Sequence, residues 1–486
     1  MANLDAIIGQ KHSNLVQGAP RMINKEEAKG ILLTALSKGG DFAEIYIERT
    51  TSTTLRLDDN KIEEVVIGTD EGVGMRVVDG ERTFFINGNR LEAESPKEMA
   101  RELANGVGGE RRIAKFEFQE RELPSYSPIE IPPETVSPDE KVKLLRRANA
   151  AARGYDQRIA QATATYRDIS QEVLIANSEG IFDRDHRIHS LLHVVAVAKE
   201  GALIQTGIKA IAETKGFELF QEQRPEEVAK EAARVAVLQL GARPAPAGTF
   251  TMVISSEAGG TMIHEACGHG LEGDFVKRGL SIYAGKLGQK VASELVTVID
   301  DGTLPNKRGT ARMDDEGYPT QRVVLIENGI LKGYLQSRKS AQETALPRTG
   351  SGRRESYRGL PLPRMRNTFV APGETLPEEI IASVREGILV KRMGGGQVDI
   401  VNGNFVFQVL EGYLIRDGKV GEAIRGATLT GNGPKVLEEV DMVGRDLGFE
   451  VGTCGKDGQA APVSDAMPTI RIPALVVGGL VEEERR

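Results

Sequence analysis

Two histidines and a glutamate stand close together in the segment His264-Glu265-Ala266-Cys267-Gly268-His269. Imidazoles are good zinc ligands. A glutamate beside a metal-bound water suits general-base work, because the metal brings the pKa of that water toward about 7. These residue types point to a metal-dependent hydrolase, but their spacing needs explanation. In the common peptidase motif the histidines stand four residues apart, so on a helix they diverge by only about 40° and face one ion. Here the interval is five residues, roughly 500° of rotation or about 140° net, which points the rings apart on a regular helix. Two distortions reunite them. A π-bulge adds one residue to a turn, or the helix ends near Gly268 and His269 swings back from a non-helical position. Gly259, Gly260, Gly268 and Gly270 lower the cost of either.

A metal site of this kind needs a third ligand. Cys267, Glu272, Asp274 and Cys454 qualify by chemistry. Cys267 follows His264 by three residues, nearly on the same helical face, although a buried thiol is also an ordinary small hydrophobe. Cys454 sits in Gly452-Thr453-Cys454-Gly455, which reads as an exposed turn where a thiol has no packing task. A second group, His186, His189 and His193, falls in a strand-like run. On one strand face His189 and His193 are about 13 Å apart, too far for one ion, so they read as polar strand positions. Gly394-Gly395-Gly396 and Gly431-Asn432-Gly433-Pro434-Lys435 fit neither a Walker nor a dinucleotide pattern and read as turns.

The rest of the chain supplies the elements that must hold these residues. Its 486 residues exceed one compact core. Apolar residues at 40% and charged residues at 27% are ordinary for a globular protein. A net charge of -8 argues against nucleic acid as the main partner, Arg353, Arg354, Arg358, Arg364 and Arg366 being a local basic exception. No apolar stretch approaches the roughly 18–20 residues of a membrane span. The opening residues lack a basic region followed by an apolar one, so no signal peptide is expected. With two cysteines there is no disulfide framework, and a reducing, cytoplasmic setting is the expectation.

Residues 1–20 read as a polar lead-in. Asn24 and Glu27 have capping-box spacing before a helix through Lys38. Alternating runs from Phe42 to Ile86, with turn signals at 58–60, 69–72 and 79–80, predict an antiparallel meander of short strands. A helix is expected from Pro96 to Asn105, an extended linker at 121–137, and a strong helix from Pro138 to Arg153. Three strand-like runs follow, 159–167, 169–177 and 186–200, then a helix from Pro225 to Gly241. The break Arg243-Pro244-Ala245-Pro246-Ala247-Gly248 marks the main boundary. After it come a strand at 249–255, a helix from Glu257 to about Glu272 carrying the motif, and strands at 291–300, 322–328, 330–336, 397–401, 405–415 and 470–477. A helix at 377–387 interrupts them. The expected fold is α+β, with two domains of mainly antiparallel sheets and flanking helices. An N-terminal α+β domain spans 21–242 and a strand-rich C-terminal domain spans 249–486, with the motif helix at its start.

The segment from Ile263 to Asp274 resembles the signature of the TldD/PmbA family of metallopeptidases. Tyr357-Arg358-Gly359-Leu360-Pro361-Leu362-Pro363-Arg364-Met365-Arg366-Asn367-Thr368 is similar to the family's arginine- and proline-rich stretch. Gly395-Gly396-Gln397-Val398-Asp399 with Asn404-Phe405-Val406-Phe407 resembles its central strands, and Gly452-Thr453-Cys454-Gly455-Lys456 its C-terminal cysteine turn. Four ordered motifs over about 200 residues make the match specific. The family has an active type that carries the His-Glu motif and a partner type that lacks it; this chain resembles the active, TldD type. The resemblance implies zinc bound by His264, His269 and Cys454, with Glu265 activating water. It also implies a homodimer, or a heterodimer with a motif-lacking TldE/PmbA-type subunit, that cleaves unfolded peptides.

A centre of one thiolate and two neutral imidazoles is less electrophilic than one of three histidines, so a further oxyanion donor is expected. Tyr357, Arg358, Arg364 and Asn367 are the pool, with loop-pinning as their structural alternative. Strand-rich edges beside the site suit a peptide bound as an added strand. The competing functions are a non-catalytic regulator or adaptor of a protein partner, of the gyrase-modulator kind, and a zinc hydrolase of a non-peptide amide.

Overall fold

The structure is a computed structural model describing residues 23–92 and 94–479; the lead-in at 1–20 lies outside the described residues. The fold is α+β and mainly antiparallel. The first helix, Lys25–Ala35, starts at the expected capping box. Asn24 Oδ1 accepts from the Glu27 amide and Glu27 Oε2 from the Asn24 amide, at 2.9 and 3.0 Å. It packs Ile31 and Leu32 against the helix Glu94–Val107 and the first sheet.

That sheet has six strands, β1 (Phe42–Asp58), β2 (Lys61–Asp79), β3 (Arg82–Gly88), β4 (Ile159–Asn177), β5 (Phe182–Glu200) and β6 (Leu203–Glu213), in the order β3-β2-β1-β4-β5-β6. The strands are longer than the alternation suggests. The turn expected at 69–72 does not exist, since β2 runs straight through and Asp70 pairs with Thr50. Gly72 serves a close approach instead, because a β-carbon there would lie 2.3 Å from the Tyr357 ring. The two runs expected at 159–167 and 169–177 are likewise one strand. Asp168 between them is buried but paired with Lys141 Nζ at 2.7 Å, so its charge does not break the strand. The helices Pro138–Arg153 and Pro225–Gly241 have the expected bounds and cover one face of β4 to β6, with Leu144, Leu145, Val228 and Ala232 in the core.

The remaining sheets are built from residue 243 onward. Strands Glu386–Val398, Gly248–Ile254, Ile470–Gly478, Thr428–Asn432 and Asn404–Arg416 follow one another by pairing, and the first and last also pair, which closes a five-stranded ring. A second six-stranded sheet ends in the hairpin Gly448–Lys456/Gln459–Met467. The expected strand at 291–300 shrinks to Val298–Asp301, and the helix at 377–387 to Pro377–Ala382. The glycine run at 431–435 is not a turn; it ends a strand and opens the helix Gly433–Glu439, with Pro434 in its first turn. Among the described residues no helix is long and apolar enough to cross a membrane.

A buried ionic network joins the first sheet to the later sheets. Arg76 on β2 lies between Glu44 (3.0 Å) and Glu316 (2.6 Å), each side chain at most 3% exposed. Arg354 also reaches Glu44, and Arg187 reaches Asp315, both at 2.5 Å. Removing one partner of such a group strands the others without solvent. Replacing Arg76 with methionine is expected to destabilise the protein by about 3–5 kcal/mol, read as a lower urea midpoint. An unchanged midpoint would show that the network does not hold the halves together.

Candidate metal centre

The segment carrying the histidines is not the single regular helix expected from Glu257 to Glu272. Thr261–Ile263 is α-helical, His264–Gly268 forms a π-turn, and His269–Leu271 tightens into a 3-10 turn. The extra residue in the turn absorbs the five-residue interval. The two imidazoles therefore meet, with ring centroids 4.9 Å apart and planes at 85°. Close backbone packing sets this geometry. A β-carbon on Gly260 would lie 2.2 Å from the Ala466 amide nitrogen, and one on Gly433 would lie 2.3 Å from the Ala266 carbonyl oxygen. Tyr283 Oη donates to that same carbonyl at 3.0 Å. The turn is thus pressed between a strand, a helix N-terminus and a buried phenol.

Cys454 is not in an exposed turn. It lies in the strand Gly448–Lys456, 5% exposed, with Sγ 3.4 Å from His269 Nε2. One ligand atom each from His264, His269 and Cys454 falls within 4.8 Å of the others. The remaining third-ligand candidates are engaged elsewhere. Cys267 is fully buried, its Sγ donates to the Ile263 carbonyl at 3.3 Å, and burial pushes its thiol up to about 12. Asp274 accepts from Lys456 Nζ at 2.7 Å. Glu272 pairs with His269 Nδ1 at 3.2 Å and with Lys456 Nζ at 3.0 Å.

Each imidazole has a carboxylate behind it. His264 Nδ1 is 2.8 Å from Asp465 Oδ1. Burial lowers both imidazoles, but Asp465 lifts His264 above its ordinary value and Glu272 lifts His269 to about 9. Burial would raise the Cys454 thiol, yet hydrogen bonds from the two imidazoles bring it down to about 5, which favours the thiolate form. Burial likewise opposes ionisation of Glu272, and Lys456 with His269 overcomes this and holds it down to about 2. The Glu265 carboxyl is pushed up by burial, which the histidines only partly offset. A carboxylate with raised proton affinity suits a group that must take a proton and return it.

His264, Glu265, His269, Cys454, Lys456 and Asp465 line a cleft of about 980 Å³. Arg392 to Val398 form one wall and Glu450 to Lys456 the other, while His193, Ile208 and Lys209 reach in from the first sheet. The strand Glu386–Val398 pairs with Gly248–Ile254 only as far as Val390, and Gly448–Lys456 is the last strand of its sheet. Both walls therefore carry strand edges.

The four oxyanion candidates do not line this cleft, which corrects the expectation. Tyr357 Oη and Arg358 bind Asp70. Arg364 Nη2 donates to the Cys454 carbonyl at 2.6 Å and Nη1 to Gln459 at 3.1 Å. Asn367 Nδ2 donates to the Asp301 carbonyl at 2.6 Å. All four fix loops and strands. Sequence reasoning missed Asp465, whose one signal is that it is the only charged residue between Ala460 and Ile470. It also left Lys456 without a role. The cluster His186, His189 and His193 lies on β5 as expected of strand positions.

Fold and side-chain set together describe a mainly antiparallel α+β protein with a two-histidine, one-cysteine cluster and an adjacent glutamate. Family models for the PmbA/TldA metallopeptidases match most of the chain. Their domain 1 matches residues 43–106, their central domain 131–240 and their C-terminal domain 247–479. The chain belongs to this TldD/PmbA metallopeptidase family. It is 38% identical over 471 residues to the metalloprotease TldD homolog of Buchnera aphidicola subsp. Schizaphis graminum, covering 94% of this chain and 97% of that one. To the metalloprotease TldD homolog of Haemophilus influenzae it is 37% identical, covering 90% and 93%. The crystal structure of TldE from Thermococcus kodakarensis has the same fold, with a TM-score of 0.71 at 21% identity over 90% of this chain and 97% of that one.

Proposed function

We propose that the protein is a zinc-dependent peptidase of extended or unfolded peptides, in which His264, His269 and Cys454 hold the metal and Glu265 is the general base. The convergence of two imidazoles and a thiolate beside Glu265, on the wall of an open cleft, carries this reading. The donor set fits zinc. Nitrogen and sulfur ligands about 2.0–2.3 Å from a tetrahedral ion lie roughly 3.3–3.8 Å from one another, and the His269–Cys454 separation is 3.4 Å. His264, His269 and Cys454 would hold the ion with three protein ligands, the number that catalytic rather than structural zinc sites use.

A zinc ion held there would polarise the scissile carbonyl and acidify the attacking water. Glu265 takes the proton from that water and returns it to the leaving amine. The strand edges at Arg392–Val398 and Gly448–Lys456 support a peptide laid between them as an added strand, read through its backbone. An added β-carbon on Gly395 or Gly455 would meet nothing within 4 Å, so both positions face open space.

Metal analysis with a peptide digest tests the proposal. About one zinc per chain, and cleavage abolished by a chelator and restored by zinc, are expected. Cleavage untouched by chelation would remove the zinc mechanism, and stoichiometric zinc without cleavage of any peptide would leave the amide-hydrolase or regulator readings. For the substrate, a disordered variant of one protein should be cleaved much faster than its folded form. Equal rates on both would defeat strand-addition recognition.

A further inference from the structure

We infer that Asp465 is a positioning residue, whose carboxylate holds the His264 imidazole with its proton on Nδ1 and so presents Nε2 to the metal alongside His269 and Cys454. This rests on the proposed metal site and not on the identity of the substrate.

The hairpin register makes the placement specific. Cys454 pairs with Ala461 and Glu450 with Asp465. Alternation then puts Cys454 and Asp465 on the same face of the hairpin, about 13 Å apart along the strand. The ring of His264 occupies the interval. Its Nδ1 is 2.8 Å from Asp465 Oδ1, while its other edge faces the His269–Cys454 pair. One hairpin thus supplies a ligand and also the group that orients a ligand borne by a different segment. The contact is enclosed, since His264 and Asp465 side chains are only 6% and 9% exposed.

The two carboxylates behind the imidazoles are not equivalent. Glu272 shares its charge with Lys456 at 3.0 Å and lies 4.0 Å from Arg364, so much of its work is to tie the turn to the hairpin. Among the described residues Asp465 has no ion pair with lysine or arginine. Its charge is therefore directed at His264. A carboxylate on the far nitrogen of a ligating imidazole fixes the tautomer, restrains ring rotation and raises ligand basicity, and losing it typically weakens metal binding about 10–100-fold.

The test uses the full chain with Asp465→Asn and Asp465→Ala. Asparagine keeps a hydrogen-bond acceptor and loses the charge, whereas alanine loses both. Zinc affinity is read by chelator competition, and the visible spectrum of cobalt-substituted protein reports ligand geometry and the thiolate-to-metal transition. For Asp465→Ala we expect roughly 10–100-fold weaker zinc binding and altered cobalt bands, with partial recovery of both in Asp465→Asn. A purely structural role would lower the melting temperature of the metal-free protein without moving the cobalt bands. Wild-type affinity and an unchanged spectrum in either folded variant would overturn the inference. Peptide cleavage is followed in parallel. A wild-type protein that binds zinc but cleaves nothing removes the peptidase reading and leaves the affinity comparison to decide Asp465, and one that binds neither metal overturns both.

Discussion

Replacing Glu265 with glutamine is expected to lower kcat/KM for peptide cleavage by about 10²–10⁴-fold, the usual worth of a positioned general base, while the chain keeps its zinc. Two observations separate these effects. Glu265 lies outside the three-residue ligand cluster, so metal affinity does not depend on it directly. It also lines the cleft half-buried, where its carboxyl has raised proton affinity because burial disfavours its charge. Glutamine preserves shape and hydrogen bonding but does not accept a proton. Kinetics with metal analysis of the same sample checks the result. Wild-type turnover would remove Glu265 as the base. Loss of zinc together with activity would instead make it part of the metal's own coordination.

The parts of the fold that were legible in the sequence are those governed by local rules. The helices Pro138–Arg153 and Pro225–Gly241 open on prolines and keep a helical apolar period, and both have the expected bounds. Local rules failed where a polar or glycine residue serves a distant contact. Asp70 and Gly72 look like a turn, yet they lie mid-strand because Tyr357 and Arg358, nearly 300 residues away in sequence, pack on them.

The candidate site divides in the same way. The His-Glu segment announces metal chemistry through its residue types alone. Its five-residue interval left a bulged turn and a broken helix equally open. The π-turn follows from tertiary packing, in which Ala466 and Gly433 press on Gly260 and Ala266. Residue chemistry likewise left four third-ligand candidates, with Cys454 singled out by family resemblance; spatially it joins the histidines through a hairpin. Asp465 and the Glu272–Lys456 pair act through contacts that no sequence spacing encodes. The arginine-rich stretch misled for a related reason. Arg364 resembles a substrate-facing cation but spends its donors on the carbonyls of Cys454 and Gln459.

That last contact shapes the second large effect. Cys454→Ala is expected to abolish stoichiometric zinc binding and, with it, peptide cleavage. The variant removes one of the three proposed ligands, and among the described residues no fourth side chain belongs to that cluster. Cys267, the other thiol, is buried and bonded to the Ile263 carbonyl, and it lies outside the three-residue ligand cluster. The hairpin itself should persist, because Arg364 holds the Cys454 carbonyl and not the side chain. Lys456 two residues on also keeps its pairs with Glu272 and Asp274. The metal-free variant should therefore melt only modestly below the metal-free wild type, the cost of one small buried side chain. Adding zinc should raise the melting temperature of the wild type alone, since a ligand that binds only the folded state stabilises it by mass action. Cys267→Ala is the control. It should lower stability by removing a buried side chain while zinc stoichiometry stays unchanged. A Cys454→Ala protein that retains one zinc per chain would show that the thiolate is not a ligand, and the centre would then have to be rebuilt around the two histidines with an oxygen donor.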